Sequence, residues 1–211
     1  MMIIDSLILG AYETNCYILR SSDAARECLV VDPGLEAEPL IEFLRDQELN
    51  PAAVVLTHGH IDHIAGLAAL REMFPDAKVY IHRLDAKMLT DPYANLSIMG
   101  GMSFMTESED VAVNEPDIIE QAGIKLQVIH TPGHTPGGIS LYSKDDGVAF
   151  VGDTLFAGSI GRTDFPGGSM PQLLSSVKEK LFTLPDETKA YSGHGPATTI
   201  GQEKATNPFF Q

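Results

Sequence analysis

Basic residues are scarce in this chain of 211 residues: 14 Lys and Arg stand against 29 Asp and Glu, a formal charge of -15. A field of that sign repels phosphate backbones and anionic lipid surfaces, which argues against nucleic acid or membrane as partners and favours divalent cations. Cysteine is nearly missing. Cys16 and Cys28 alone make no disulfide framework, and both lie in apolar strand-like runs that predict buried, inert thiols. No apolar run approaches the roughly 20 residues of a transmembrane helix. The N-terminal stretch MMIIDSLILGAYETN has no basic leader region, carries Asp5 inside its apolar part and offers no small-residue cleavage site. A cytoplasmic location is therefore expected. Repeats and low-complexity tracts are absent too. A hydrophobic content of 44% with 20% charged residues matches one globular domain over 1–211 with a substantial core.

What recurs is an apolar, β-like run that ends in a polar turn containing glycine. CLVV at 28–31 runs into Asp32-Pro33-Gly34, and AVVL at 53–56 into Thr57-His58-Gly59-His60. IKLQVI at 124–129 leads to His130-Thr131-Pro132-Gly133-His134. GVAFV at 147–151 leads to Gly152-Asp153-Thr154, and KAYS at 189–192 to Gly193-His194-Gly195. Strand ends of this kind can share one rim of a sheet, where open α/β folds place their ligands. The apolar spacing predicts helices over 36–48, 62–74 and 171–182, and a hairpin from 2–9 and 16–20. Strands and helices mix without strict alternation, so sheets covered by helices are expected. Segment 91–118 reads as a surface connection with methionines filling gaps; the competing reading is a mobile lid.

The segment Thr57-His58-Gly59-His60-Ile61-Asp62-His63 places three histidines and a carboxylate within six residues. Imidazole nitrogen and carboxylate oxygen are ligands that a borderline cation such as Zn²⁺ accepts. A turn there lets His58 and His60 face one side while Asp62 and His63, opening a helix, reach another, which suits two neighbouring metals. His134, Asp153 and His194 belong to the same rim and complete a set of histidines and aspartates adequate for a dinuclear site. His82 and His130 fall outside this pattern and are expected to be structural.

These motifs resemble those of the metallo-β-lactamase-fold superfamily: His58-Gly59-His60-Ile61-Asp62-His63 stands where its H-x-H-x-D-H signature is expected. Pro132-Gly133-His134-Thr135, Gly152-Asp153-Thr154, Gly193-His194-Gly195 and Val31-Asp32-Pro33-Gly34 match in order. The resemblance implies an α/β fold, an αββα sandwich of two mixed sheets with helices outside. It also implies that His58, His60 and His134 bind one metal, that Asp62, His63 and His194 bind a second, and that Asp153 bridges them. Asp32 would support the site from behind. Within the superfamily, GDTLFAGSIGRTDFPGG at 152–168 resembles the glyoxalase II-like thioesterases (hydroxyacylglutathione hydrolases), particularly the short bacterial type, and also the persulfide dioxygenases. Arg162 and Asp164 are read as a loop-stabilising pair. The cysteine usual in the second site of β-lactamases of this fold is not offered.

The resemblance thus implies a thioester hydrolase with two divalent ions, zinc first with iron or manganese as substitutes, and a small-molecule thioester as partner. A hydroxide bridging the ions would attack the carbonyl, with Asp62 orienting it and managing its proton. The alternative is a mononuclear iron persulfide dioxygenase using His58, His134 and Asp153. Full-length glyoxalase II enzymes carry a C-terminal helical domain that supplies much of the glutathione surface; with 17 residues after His194 no such domain is expected. The pocket wall is then expected from 97–105 and 156–169, of which the first has no basic residue and the second only Arg162.

Overall fold

Alternating apolar residues with both faces covered build the centre of the molecule, a computed structural model that describes residues 1–211. The first sheet runs in the order β1 (Ile3–Leu9), β2 (Thr14–Arg20), β3 (Glu27–Val31), β4 (Asn50–Val55), β5 (Lys78–His82) and β6 (Val111–Val113). The second contains β7 (Ile118–Gln121), β8 (Ile124–His130), β9 (Ile139–Ser143) and β10 (Val148–Gly152). A short ribbon, β11 (Leu155–Phe156) with β12 (Ser159–Ile160), follows. β13 (Lys189–Ser192) and β14 (Thr198–Thr199) then join the second sheet beside β10. The helices are α1 (Glu38–Asp46), α2 (Ile61–Ile64), α3 (Leu67–Met73), α4 (Met170–Glu179) and α5 (Ile200–Thr206). None is long and apolar enough to cross a membrane.

Period-2 side-chain alternation explains the layers. In β3, Leu29 and Val31 point into the core between the sheets with Leu126, Val128, Leu141 and Phe150. Cys28 and Val30 point the other way, against Leu40 and Leu44 of α1 and Leu67 and Leu70 of α3. The outer face of the second sheet is covered by Leu173 and Val177 of α4 and Ile200 of α5. The result is the expected αββα sandwich. Both cysteines are free and fully buried, and burial pushes the Cys28 thiol up to about 12, so neither is a reactive thiolate.

Two expectations need correction. The helix expected over 62–74 is two helices, α2 and α3, parted at Gly66. There the Gly66 N–H donates to Gly34 O at 2.6 Å, and an added Cβ would lie 2.4 Å from Pro33 O, so the backbone approaches too closely for a continuous helix with any other residue. In 91–118 the methionines do not fill gaps: Met99 is 71% exposed and Met105 60%. The segment is held by polar residues, with buried Asn95 donating to Met88 O and Phe104 O and accepting from Ser97 N–H.

β3 with β4, β4 with β5, and β10 with β13 pair in parallel, so their C-terminal ends emerge at one rim. That rim carries the histidines.

Candidate metal centre

Three overlapping groups of side chains bring ligand atoms within 4.8 Å of one another: His58, His60 and His134; His58, His63 and Asp153; Asp62, His63 and His194. Every residue singled out as a ligand in the sequence is in this cluster, and Asp32 lies directly behind it. His82 and His130 do not join. They stack on each other at 4.2 Å with an interplanar angle of 12°, bridging the ends of β5 and β8. Burial, His130 and Arg83 push His82 down to about 4.

Hydrogen bonds behind the cluster settle which nitrogens face inward. Thr57 donates to Asp32 through both its backbone N–H (2.8 Å) and its hydroxyl (2.6 Å). With its proton so used, Thr57 Oγ1 can only accept from His58 Nδ1–H at 3.2 Å. His63 Nδ1–H donates to the same Asp32 carboxylate at 2.9 Å. His134 Nδ1–H donates to Arg162 O at 2.7 Å. The Nε2 atoms of His58, His63 and His134 are therefore left pointing into the site, the arrangement ligating imidazoles need.

The site fits cations on its own evidence. His58 Nε2 and Asp153 Oδ1 are buried without any hydrogen-bond partner, which is costly unless something else satisfies them. His60 Nδ1 and His134 Nε2 approach to 2.9 Å, and His63 Nε2 and His194 Nε2 to 3.4 Å. Asp153 stands between the two sets: Oδ1 is 3.5 Å from His63 Nε2, while Oδ2 is 3.6 Å from both His134 Nε2 and His194 Nε2.

Electrostatics agree. Burial, with His134 beside it, pushes His60 down to about 3, and burial also holds His58 well below the usual imidazole range. Those imidazoles are neutral donors of lone pairs. Burial opposes charge on His63 as well, yet Asp62, Asp153 and Asp32 around it push it up to about 10. Burial would raise Asp62, but His63 and His194 hold its carboxyl below the ordinary carboxylate range. The carboxylates demand a positive charge in their midst, from a proton on His63 or from divalent ions that displace it.

Some supporting residues carry no separable sequence signal. Asn15 Nδ2 donates to Ser192 O and Gly195 O, Asn15 N–H to Gly193 O, and Tyr17 OH to Ser192 O, so β2 of one sheet anchors the His194 loop of the other. Gly193 permits this: a Cβ there would meet Asp153 Oδ1 at 2.2 Å and His63 Cε1 at 2.7 Å. Asp85, fully buried, accepts from Thr135 Oγ1 and Gly137 N–H at 2.6 Å and from Gly59 N–H at 3.3 Å. It ties the loop bearing His58 and His60 to the loop bearing His134.

Asp85→Ala strands those three buried donors, each a loss of about 1–3 kcal/mol, so urea denaturation should show the protein weakened by at least about 3 kcal/mol. Asp85→Asn, whose amide oxygen still accepts, should recover part of the loss. An alanine variant as stable as the parent would mean the two loops are held by something else.

Above the centre opens a pocket of about 520 Å³. His60, Asp62, His134, Asp153 and His194 form its floor; Leu96, Met99 and Gly100 form one wall, and Phe156, Ser159, Ile160, Arg162 and Phe165 another. Both segments expected to line it do so, and Tyr12 joins them.

A family model described as the metallo-beta-lactamase superfamily matches residues 9–194. The chain is 37% identical to the hydroxyacylglutathione hydrolase GloC of Haemophilus influenzae over 99% of its own length and 98% of that protein's. Among solved structures it is similar to the BLEG-1 B3 metallo-beta-lactamase, with TM-score 0.94 and 40% identity over 99% of this chain and 100% of that one. It is also similar to TTHA1623 in a di-iron-bound form, with TM-score 0.83 and 35% identity over 97% and 99% of the two chains.

Proposed function

The chain belongs to the metallo-β-lactamase superfamily, and on that premise we propose that it is a metal-dependent hydrolase of glyoxalase II-like type that cleaves thioesters. The observation that carries this reading is the convergence of five imidazoles and two carboxylates, with His58 Nε2 and Asp153 Oδ1 left without any other partner, at the floor of a substrate-sized pocket. Similarity to GloC along nearly the whole of both chains supports the thioester class.

His58, His60 and His134 would hold one divalent ion, and Asp62, His63 and His194 a second, with Asp153 shared. Zinc is proposed first, with iron or manganese as substitutes. Such ions supply Lewis acidity and acidify a water to a pKa of about 7. The protein's own residues do the rest. Asp32 holds the protons of His63 and, through Thr57, of His58 away from the site, at their Nδ1 atoms. Asp62 Oδ2, 3.3 Å from His194 Nε2, lies in the pocket floor, where it can accept the proton of an attacking water and return it to the departing thiolate. Arg162 and Asp164 form the loop-stabilising pair, Arg162 Nε and Nη2 each donating at 2.8 Å.

Metal analysis of protein purified without added metal, paired with three assays, tests this. Near two ions per chain and hydrolysis of an acyl thioester are expected. One iron per chain, with persulfide-dependent oxygen uptake and no thioester cleavage, would favour oxygenation. Hydrolysis of a β-lactam alone would move the chain toward the activity for which BLEG-1 is named.

A further inference from the structure

Resting on the thioesterase reading, we infer that this pocket selects thioesters with an apolar acyl group and an uncharged thiol portion, and disfavours thiols bearing carboxylates, such as glutathione. Hydrolysis adds water across the acyl C–S bond, releasing a carboxylic acid and a thiol, so both halves of the substrate must be accommodated.

Ile61, Leu96, Met99, Phe156, Ile160 and Phe165 make most of the wall apolar. No lysine lines the pocket, and Arg162 is the only arginine. The charge of Arg162 is already paired: one edge of its guanidinium is engaged by both carboxylate oxygens of Asp164, and one face lies 3.8 Å over the Phe165 ring. Phe165 in turn packs edge-on against His60 at 5.7 Å, so moving Arg162 toward a ligand would disturb a contact with the floor. The thiol portion of a substrate whose carbonyl sits at the floor must lie along these walls, where a carboxylate would lose water and find no unpaired cationic side chain. It would also enter the field of a chain whose formal charge is -15. A neutral thiol portion meets neither cost, and Tyr12 and Ser159 at the wall suit an amide.

The experiment compares two non-hydrolysable thioethers with the same hexyl tail, S-hexyl-N-acetylcysteamine and S-hexylglutathione, binding to metal-replete protein by calorimetry. The neutral ligand is expected to bind at least about tenfold more tightly. Phe165→Ala should weaken it about fivefold or more, by removing apolar wall. Asp164→Asn, which releases Arg162, should strengthen S-hexylglutathione several-fold and leave the neutral ligand unchanged. Equal or tighter binding of S-hexylglutathione to the parent, or no binding of either ligand, overturns the inference, as does a neutral ligand indifferent to Phe165→Ala. Matched hexanoyl thioesters separate this inference from the reading beneath it. Binding preference without turnover of either ester would overturn the thioesterase reading and leave the pocket's selectivity standing. Turnover of both with the glutathione ester favoured would do the reverse.

Discussion

His60→Ala is expected to lose at least about a thousandfold in thioester hydrolysis, with metal content falling, while its circular dichroism and cooperative unfolding stay those of the parent. His60 offers a neutral nitrogen 2.9 Å from His134 Nε2, and alanine deletes that donor without touching the packed layers. Each layer stands on its own apolar contacts: the inter-sheet core and the two helix-facing clusters contain none of the ligand side chains. A chain with cores of this size folds without metal, unlike a zinc finger. Outright unfolding of the variant, or of metal-free parent protein, would mean that metal serves structure, and the catalytic reading would lose its support.

Asp153→Ala should cost more metal at both positions than His194→Ala, and at least about a hundredfold in activity. Its two oxygens reach toward histidines of both sets, at 3.5 Å from His63 Nε2 and 3.6 Å from His134 Nε2 and His194 Nε2. A shared carboxylate offsets part of the repulsion between two close cations; removing it exposes each to the other. His194, half-buried at the end of β13, is a neighbour of the Asp62 and His63 set and should affect only that position. Metal analysis of the two variants decides the point: equal losses would contradict the shared role of Asp153.

Much of this arrangement was readable residue by residue. The strand runs at 28–31, 124–129, 147–151 and 189–192 became β3, β8, β10 and β13 with little change at their ends. Polar turns after them delivered Asp32, His134, Asp153 and His194 to one rim. Boundaries slipped where the backbone of another segment intruded, as at Gly66, whose contact with Gly34 and Pro33 broke one expected helix into two. Segment 91–118 departs from its expected packing because Asn95, not the methionines, does the anchoring, and a buried asparagine in a loop looks like any exposed one until the loop closes around it.

The amino-acid sequence by itself determined the types of ligand, their grouping at strand ends and the two-faced strands that force a four-layer sandwich. Periodicity and turn chemistry act over a few residues, so they can be read locally. Tertiary structure alone decided what lies behind and above the ligands. Asp85 joins loops through Thr135 across 50 residues, Asn15 holds Gly195 across 180, and Tyr12, Leu96 and Phe165 meet over the pocket. Such contacts depend on how the two sheets and their loops close in space, at an entropic cost that varies only slowly with separation, so no local pattern marks the residues that make them.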